Sequence, residues 1–255
     1  MDLEFYKYQG TGNDFIMIDN RTSIFDETDL NLVTSLCNRK FGIGADGLIL
    51  IKEKAGYDFE MVYFNADGSQ SMCGNGARCA VAFSQFLGLL HHDCHFQAID
   101  GPHFARYRDG EVELGMSPVS IIDEVGEDFF LDTGSPHYVR IVDNVWDYPV
   151  VDEGARIRYS EDYPEGTNVN FVSVISDEEI FVRTYERGVE DETLSCGTGV
   201  TACALAFGRQ KDKNEVGIQT LGGRLRVRFA VTPDGFRDIL LIGPAKQVFN
   251  GRIRV

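Results

Sequence analysis

Two of the six cysteines in this chain stand in a phrase suited to chemistry. Cys73-Gly74-Asn75-Gly76 opens a run of small and apolar residues, Ala77–Phe83, and Cys196-Gly197-Thr198-Gly199 opens another, Val200–Phe207. The glycines let backbone approach a ligand closely. At the start of a helix the first N–H groups lack intrahelical partners and point outward as donors to an anion. The same partial positive charge favours thiolate over thiol. One such cysteine fits a nucleophile or a redox thiol, whereas two fit an inversion. A thiolate takes an acidic α-proton from one face of a carbon and the opposing thiol returns a proton to the other. A carboxylate held between the two helix starts would have its enolate-like charge stabilised by both sets of N–H groups. Cysteine suits such work when it titrates near the working pH, and two thiols sharing one proton titrate as a coupled pair. Cys37, Cys79, Cys94 and Cys203 read as core thiols. There is no Cys-x2-Cys, and the intervals Cys73–Cys79 and Cys196–Cys203 lack partner histidines, so no metal site is expected.

The elements that must position the two cysteines also come in pairs. Thr11-Gly12-Asn13 heads an apolar run, as does Thr133-Gly134-Ser135, 122 residues later. Glu60–Asn65 resembles Phe181–Glu186 at an offset of 121, the cysteine phrases lie 123 apart, and Gln97–Gly101 matches Gln219–Gly223 at 122. A period this long exceeds that of solenoids and reads as two homologous domains of ordinary size. The repeat places them at 1–117 plus 247–255 and at 118–246, because the strand Gln247–Val255 has no counterpart at the end of the first repeat. Clefts between domains favour ligands, so the site is expected there. Strands are expected at Phe5–Gln9, Phe15–Asp19, Leu48–Ile51, Phe59–Phe64, Phe96–Ile99, Phe104–Tyr107, Tyr138–Val142, Val169–Ile175, Ile180–Tyr185, Arg224–Phe229 and Ile239–Ile242. Leu225, Val227 and Phe229 alternate with Arg224, Arg226 and Arg228, which marks a sheet with one wet face. The segments 77–87 and 200–207 are apolar almost all round, as a buried helix is. A further helix is expected from Asp29 to Asn38 on Leu32, Val33 and Leu36. The fold class is therefore α+β, with two pseudo-symmetric domains, each wrapping strands around a central buried helix.

Forty acidic against 24 basic residues give a net charge of −16, which argues against nucleic acid or anionic membrane as partner. No apolar stretch reaches the ~18–20 residues of a membrane span, and the acidic start Met1–Phe5 is unlike a signal peptide. A cytoplasmic, reducing compartment is expected, with the cysteines as thiols.

Gly10–Phe15, Phe64–Ser69, Cys73–Cys79, Tyr185-Glu186-Arg187-Gly188 and Cys196–Gly199 together resemble the diaminopimelate epimerases over nearly the whole chain. That resemblance implies strongly curved, mostly antiparallel sheets and cofactor-free, PLP-independent interconversion of LL- and meso-2,6-diaminopimelate. It also implies service to lysine and peptidoglycan synthesis, and a homodimer. Carried over by position, Cys73 and Cys196 are the acid/base pair, and Gly74, Asn75, Gly197 and Thr198 hold the reacting carboxylate. Asn13, Asn65 and Asn168 bind the far end of the substrate. Arg187 meets the distal carboxylate, Glu186 an ammonium, and His137 stands beside the site with the catalytic set. Two positions depart from the common pattern. Ser135 replaces an asparagine, and Gly47 stands where some members carry glutamine, leaving backbone contact only. Both bear on substrate identity, and the alternative is a PLP-independent racemase of another amino acid on the same fold. A thiol-based redox or binding protein is a further alternative. Gly42–Gly47 fits G-x-G-x-x-G, but a basic turn precedes it and a strand follows, so it reads as a turn and not a dinucleotide loop.

Overall fold

The structure, a computed structural model, describes residues 2–90 and 93–255. It divides into two compact units, Met1–Leu114 with Gly243–Val255, and Gly115–Ile242.

In the first unit the elements run β1 (Asp2–Gly10), β2 (Asn13–Asp19), α1 (Leu30–Cys37), β3 (Gly47–Lys52), β4 (Phe59–Asn65), α2 (Gly74–Phe86), β5 (Asp93–Ala98), β6 (Gly101–Arg108) and β7 (Glu111–Gly115). The second holds β8 (Asp123–Val125), β9 (Asp128–Asp132), β10 (Pro136–Ile141), α3 (Val150–Arg158), β11 (Asn168–Val174), β12 (Glu179–Glu186), β13 (Asp191–Thr193), α4 (Gly197–Lys211), β14 (Glu215–Thr220), β15 (Gly223–Thr232) and β16 (Gly235–Pro244). Last comes β17 (Lys246–Arg254), which returns to the first unit and pairs antiparallel with β1 from Asp2↔Arg254 to Gln9↔Lys246.

The same pairing scheme occurs twice. In the first unit β1 pairs antiparallel with β2, β2 parallel with β3 (Phe15↔Gly47), β3 antiparallel with β4, and β4 parallel with β5. In the second, β9 pairs antiparallel with β10, β10 parallel with β11 (His137↔Asn168), β11 antiparallel with β12, and β12 parallel with β14. The parallel steps place a helix between their strands, as a crossover requires. The tandem repeat is thus present in the folded chain as two similarly wound units.

Each central helix is buried because its sequence is apolar on nearly every side. In α2 every residue from Asn75 to Ser84 is buried, and the helix packs against β1, β2, β3, β4, β6 and β17. In α4, Gly197 and Gly199–Gly208 are buried, and the packing partners are β9, β10, β11, β12, β14 and β15. Contact with so many strands of one sheet requires that sheet to curl around its helix. In the second unit Val200, Leu205 and Phe207 pack with Val139, Val172, Val182, Val216, Ile218 and Val227.

The strand and helix expectations hold apart from their ends. Ile99, Val142 and Ile175 fall just outside β5, β10 and β11, and α2 and α4 begin immediately after their cysteines. Asp29 caps α1, accepting from the Leu32 N–H at 3.0 Å. In β15, Leu225, Val227 and Phe229 are buried, while Arg226 and Arg228 reach Glu215 on β14. Residues 41–46 are a turn leading into β3. Helix α3 was not expected, although it lies about 120 residues after α1 and occupies the same place in the winding.

Candidate active site

In the first unit the site is built on the hairpin turn between β1 and β2. Gly10 pairs with Asn13 across Thr11 and Gly12, and Thr11 takes the left-handed φ of 51° that so tight a reversal demands. Asn13 opens β2. Its Nδ2 donates to Asp46 Oδ2 at 2.6 Å, and a carboxylate can only accept, so Oδ1 is the atom turned to Cys73, whose Sγ lies 3.4 Å away. Asp46 is itself fixed by Arg39, which also binds Asp14 at 2.6 Å, and Lys7 reaches Asp14 at 2.7 Å. Those two cations hold the Asp14 carboxyl well below its ordinary range despite its burial.

Cys73 is the N-cap residue of α2, in extended backbone and half-buried, and its side chain does not cap the helix. Gly74 and Asn75 form the first turn, and Asn75 Oδ1 accepts from the Thr11 hydroxyl at 3.4 Å. Asn65, at the end of β4, donates to Ser69 Oγ at 3.0 Å and Ser71 Oγ at 3.2 Å. Beside it in register, Gly47 opens β3, and a Cβ there would stand 2.4 Å from the Phe64 carbonyl oxygen. No side chain fits without displacing β4. Behind Cys73 the fully buried Arg78 donates to Thr11 Oγ1 at 3.0 Å, while its Nε and Nη1 have no hydrogen-bond partner among the described residues.

In the second unit Cys196 is the N-cap of α4, with ψ of 117°, the value found at Cys73. It too leaves its helix without a side-chain cap, and it is buried, at 8% exposure. Gly197 and Thr198 form the first turn, and the Thr198 carbonyl is pinned by the Thr133 hydroxyl at 2.9 Å. Thr198 Oγ1 lies 3.5 Å from Cys196 Sγ and 2.9 Å from His137 Nε2. His137 is fully buried at the start of β10, and burial, aided by the nearby Arg187 charge, pushes its imidazole down to about 3. It is therefore neutral at any working pH. Its Nδ1 faces Asn170 Nδ2 at 3.1 Å.

Ser135, Asn168 and Arg187 form a second cluster. Asn168 Nδ2 donates to Ser135 Oγ at 2.9 Å and to the Pro136 carbonyl at 3.0 Å, and its Oδ1 accepts from the Arg187 backbone N–H at 2.9 Å. The Arg187 guanidinium reaches Ser135 Oγ at 3.4 Å and the carbonyls of Glu165 and Gly166. The shorter serine side chain thus engages both neighbours through its hydroxyl. Glu186, at the end of β12, accepts from the Thr193 hydroxyl at 2.9 Å, and burial raises its carboxyl above the ordinary value.

The candidate residues therefore fall into two constellations. One holds Asn13, Gly47, Asn65, Cys73, Gly74 and Asn75, and the other Ser135, His137, Asn168, Glu186, Arg187, Cys196, Gly197 and Thr198. Each is centred on a cysteine at a helix start, flanked by a turn and by the ends of two strands. Among the described residues no group of three or more His, Cys, Asp or Glu side chains is placed to hold a metal ion.

A profile of the family described as diaminopimelate epimerase matches residues 5–119 and 129–248. The chain belongs to the diaminopimelate epimerase family. A diaminopimelate epimerase of Flavobacterium psychrophilum is 49% identical over 98% of this chain and 100% of its own length. One from Chlorobaculum tepidum is 42% identical, covering 96% and 98%. Among solved structures, a phenazine biosynthesis protein of the PhzF family from Bacillus anthracis superimposes with a TM-score of 0.80 over the whole of both chains at 12% identity, a likeness of fold alone. As a member of the diaminopimelate epimerase family the chain is an isomerase.

Asn170, Arg78 and Thr193 were not anticipated. Asn170 shares one face of β11 with the expected Asn168, and two asparagines on one strand face is a placement strands disfavour. Arg78 is a charge inside a helix that is apolar all round, which was signal enough. Thr193 gave none, since β13 is a three-residue strand after a turn.

Proposed function

We propose that this protein converts LL-2,6-diaminopimelate to meso-2,6-diaminopimelate without a cofactor, by a two-base mechanism. Membership of the family, joined to two cysteines that occupy the same N-cap position in two similarly wound units, carries the proposal. The two sulfurs would stand on opposite faces of the substrate α-carbon. The thiolate of one cysteine takes the α-proton, and the electron pair passes into the carboxylate as an enediolate. The N–H groups of Gly74, Asn75, Gly197 and Thr198 stabilise that charge as it forms. The other cysteine gives its S–H proton to the opposite face. One thiol has become thiolate and the other thiolate a thiol, so proton and charge balance with no net oxidation.

Arg187 suits the distal carboxylate, because its planar fork matches two oxygens, and Glu186 suits an ammonium. Asn13, Asn65, Asn168 and Ser135 supply the remaining polar contacts. His137 is neutral and serves position, not proton transfer. The protein is proposed to act as a homodimer in the cytoplasm, feeding lysine and peptidoglycan synthesis. Among the described residues no helix is long and apolar enough to cross a membrane.

Incubation with LL-diaminopimelate in deuterated water, thiols reduced, tests the reading. The meso product should carry solvent deuterium on the inverted carbon, and absence of both product and label refutes it. Ser135 favours one rival, a racemase of another amino acid, which a panel of amino acids followed by loss of optical activity would reveal.

A further inference from the structure

Donor and acceptor rules fix the proton positions behind Cys196, starting from a residue with no assigned role. Asn170 is fully buried in β11. Its Nδ2 lies 2.9 Å from the Tyr138 carbonyl oxygen, which can only accept, so the NH2 group faces β10. Its Oδ1 correspondingly accepts from the Thr184 hydroxyl at 2.9 Å. The second Nδ2 hydrogen points at His137 Nδ1, which must therefore be the bare nitrogen. The ring proton then sits on Nε2 and is donated to Thr198 Oγ1. Thr198 Oγ1 lies 3.5 Å from Cys196 Sγ, and once that sulfur is a thiolate it can only accept, so the Thr198 hydroxyl turns its own hydrogen toward it.

We infer that Asn170, acting through His137 and the Thr198 hydroxyl, is a positioning residue that directs a hydrogen bond onto the Cys196 sulfur and so favours its thiolate. The partner of Cys73 has the opposite sense, since Asn13 Oδ1 can only accept. The other ionisable groups of this region are few. Cys203, on the same helix as Cys196, is kept neutral by burial, His137 on β10 is neutral, and β12 brings Glu186 and Arg187 at its end. Close packing reinforces the relay, for a Cβ at Gly199 would stand 2.5 Å from Asn170 Oδ1 and 3.4 Å from His137 Cε1.

This inference deepens the two-thiol reading, and its tests read protons, not turnover. In 15N-histidine protein His137 should show a bare Nδ1 and a protonated Nε2 from pH 5 to 8, and an Nδ1–H tautomer overturns the relay without any variant. Asn170→Ala should let the ring populate both tautomers, and a folded variant that keeps Nε2–H alone removes Asn170 from the chain. The pH midpoint of Cys196 alkylation by iodoacetamide, measured in Cys73→Ala protein to remove coupling between the thiols, should rise by about one unit in Thr198→Val. That corresponds to roughly tenfold less thiolate at fixed pH. Thr198→Ser, which keeps the hydroxyl, should restore the midpoint. An unmoved midpoint in folded Thr198→Val overturns the inference. Midpoints that move as stated in a protein inactive on diaminopimelate would support the relay while refuting the proposed reaction.

Discussion

Replacing Gly199 by alanine adds one methyl group at a crowded point in the first turn of the second cysteine helix. The new Cβ would stand 2.5 Å from Asn170 Oδ1, 3.3 Å from the Cys196 Cβ and 3.4 Å from His137 Cε1. The last two contacts are tolerable, but the first requires Asn170 to withdraw by several tenths of an ångström. Asn170 holds the Tyr138 carbonyl and the Thr184 hydroxyl at 2.9 Å and His137 at 3.1 Å. Stretching these leaves buried groups partly unsatisfied, at ~1–3 kcal/mol for each bond lost, against ~1 kcal/mol gained from the better helix former. A net loss of ~2 kcal/mol lowers Tm by about 4–8 °C in a protein of this size. The larger effect is on turnover, because Thr198 and Cys196 follow His137, and a misplacement near 1 Å costs ~100-fold. Gly76→Ala is the control at the same position of α2. There the nearest atoms are the flexible tips of Ile49, at 3.1 Å, and Met61, at 3.4 Å, so little should change. Thermal melts and the deuterium-labelled epimerisation assay on both variants decide the matter. If Gly199→Ala matches Gly76→Ala in both, the packing of Asn170 against the helix start has been misread.

Other perturbations have equally definite outcomes. Cys73→Ala and Cys196→Ala should each abolish epimerisation with the circular dichroism spectrum intact, and near-normal turnover in either contradicts a two-base mechanism. Oxidation should join Cys73 to Cys196 and stop turnover until a reductant is added; activity surviving full oxidation of both thiols contradicts the proposed opposition. Arg187→Ala should raise KM for diaminopimelate about tenfold or more, by loss of a charge-assisted pair, and an unchanged KM places Arg187 outside the site. His137 titrates far lower folded than unfolded, so between about pH 6.5 and 3 the unfolded chain binds the extra proton. Stability should fall with acidification in that window, by at most ~1.4 kcal/mol per pH unit from this residue. Urea titrations should show a shallower pH dependence in His137→Gln, and an unaltered slope would show that His137 is not buried neutral.

The central helices and the cysteines at their starts were legible because composition alone decides them: a segment apolar all round must be buried, and a Cys-Gly-x-Gly phrase before it must lie at its end. The alternation in β15 was legible for the same reason. Helix α3 was not, since Val150–Arg158 carries Gly154 and four charged residues and owes its place to Val150 and Ile157 packing on Phe171 and Tyr185. Its position was nonetheless implied by α1, one repeat earlier. At the site, residue types predicted which side chains carry polarity but not how they pair. That Ser135 would satisfy both Asn168 and Arg187 depends on distances across three chain segments. Burial was likewise invisible at His137, where it keeps the imidazole neutral.

The return of β17 to β1 has a consequence for biosynthesis. Residues 2–114 emerge from the ribosome first, yet β1, already paired with β2, lacks its second partner until residues 246–254 have been made. Residues 115–242 are contiguous and contain β8 to β15, nearly all of β16 and the central helix α4. The later half can therefore finish folding before the earlier one, reversing the usual N-to-C order of maturation. Throughout that interval β1 presents an open edge, a strand waiting for a partner and vulnerable to a wrong one.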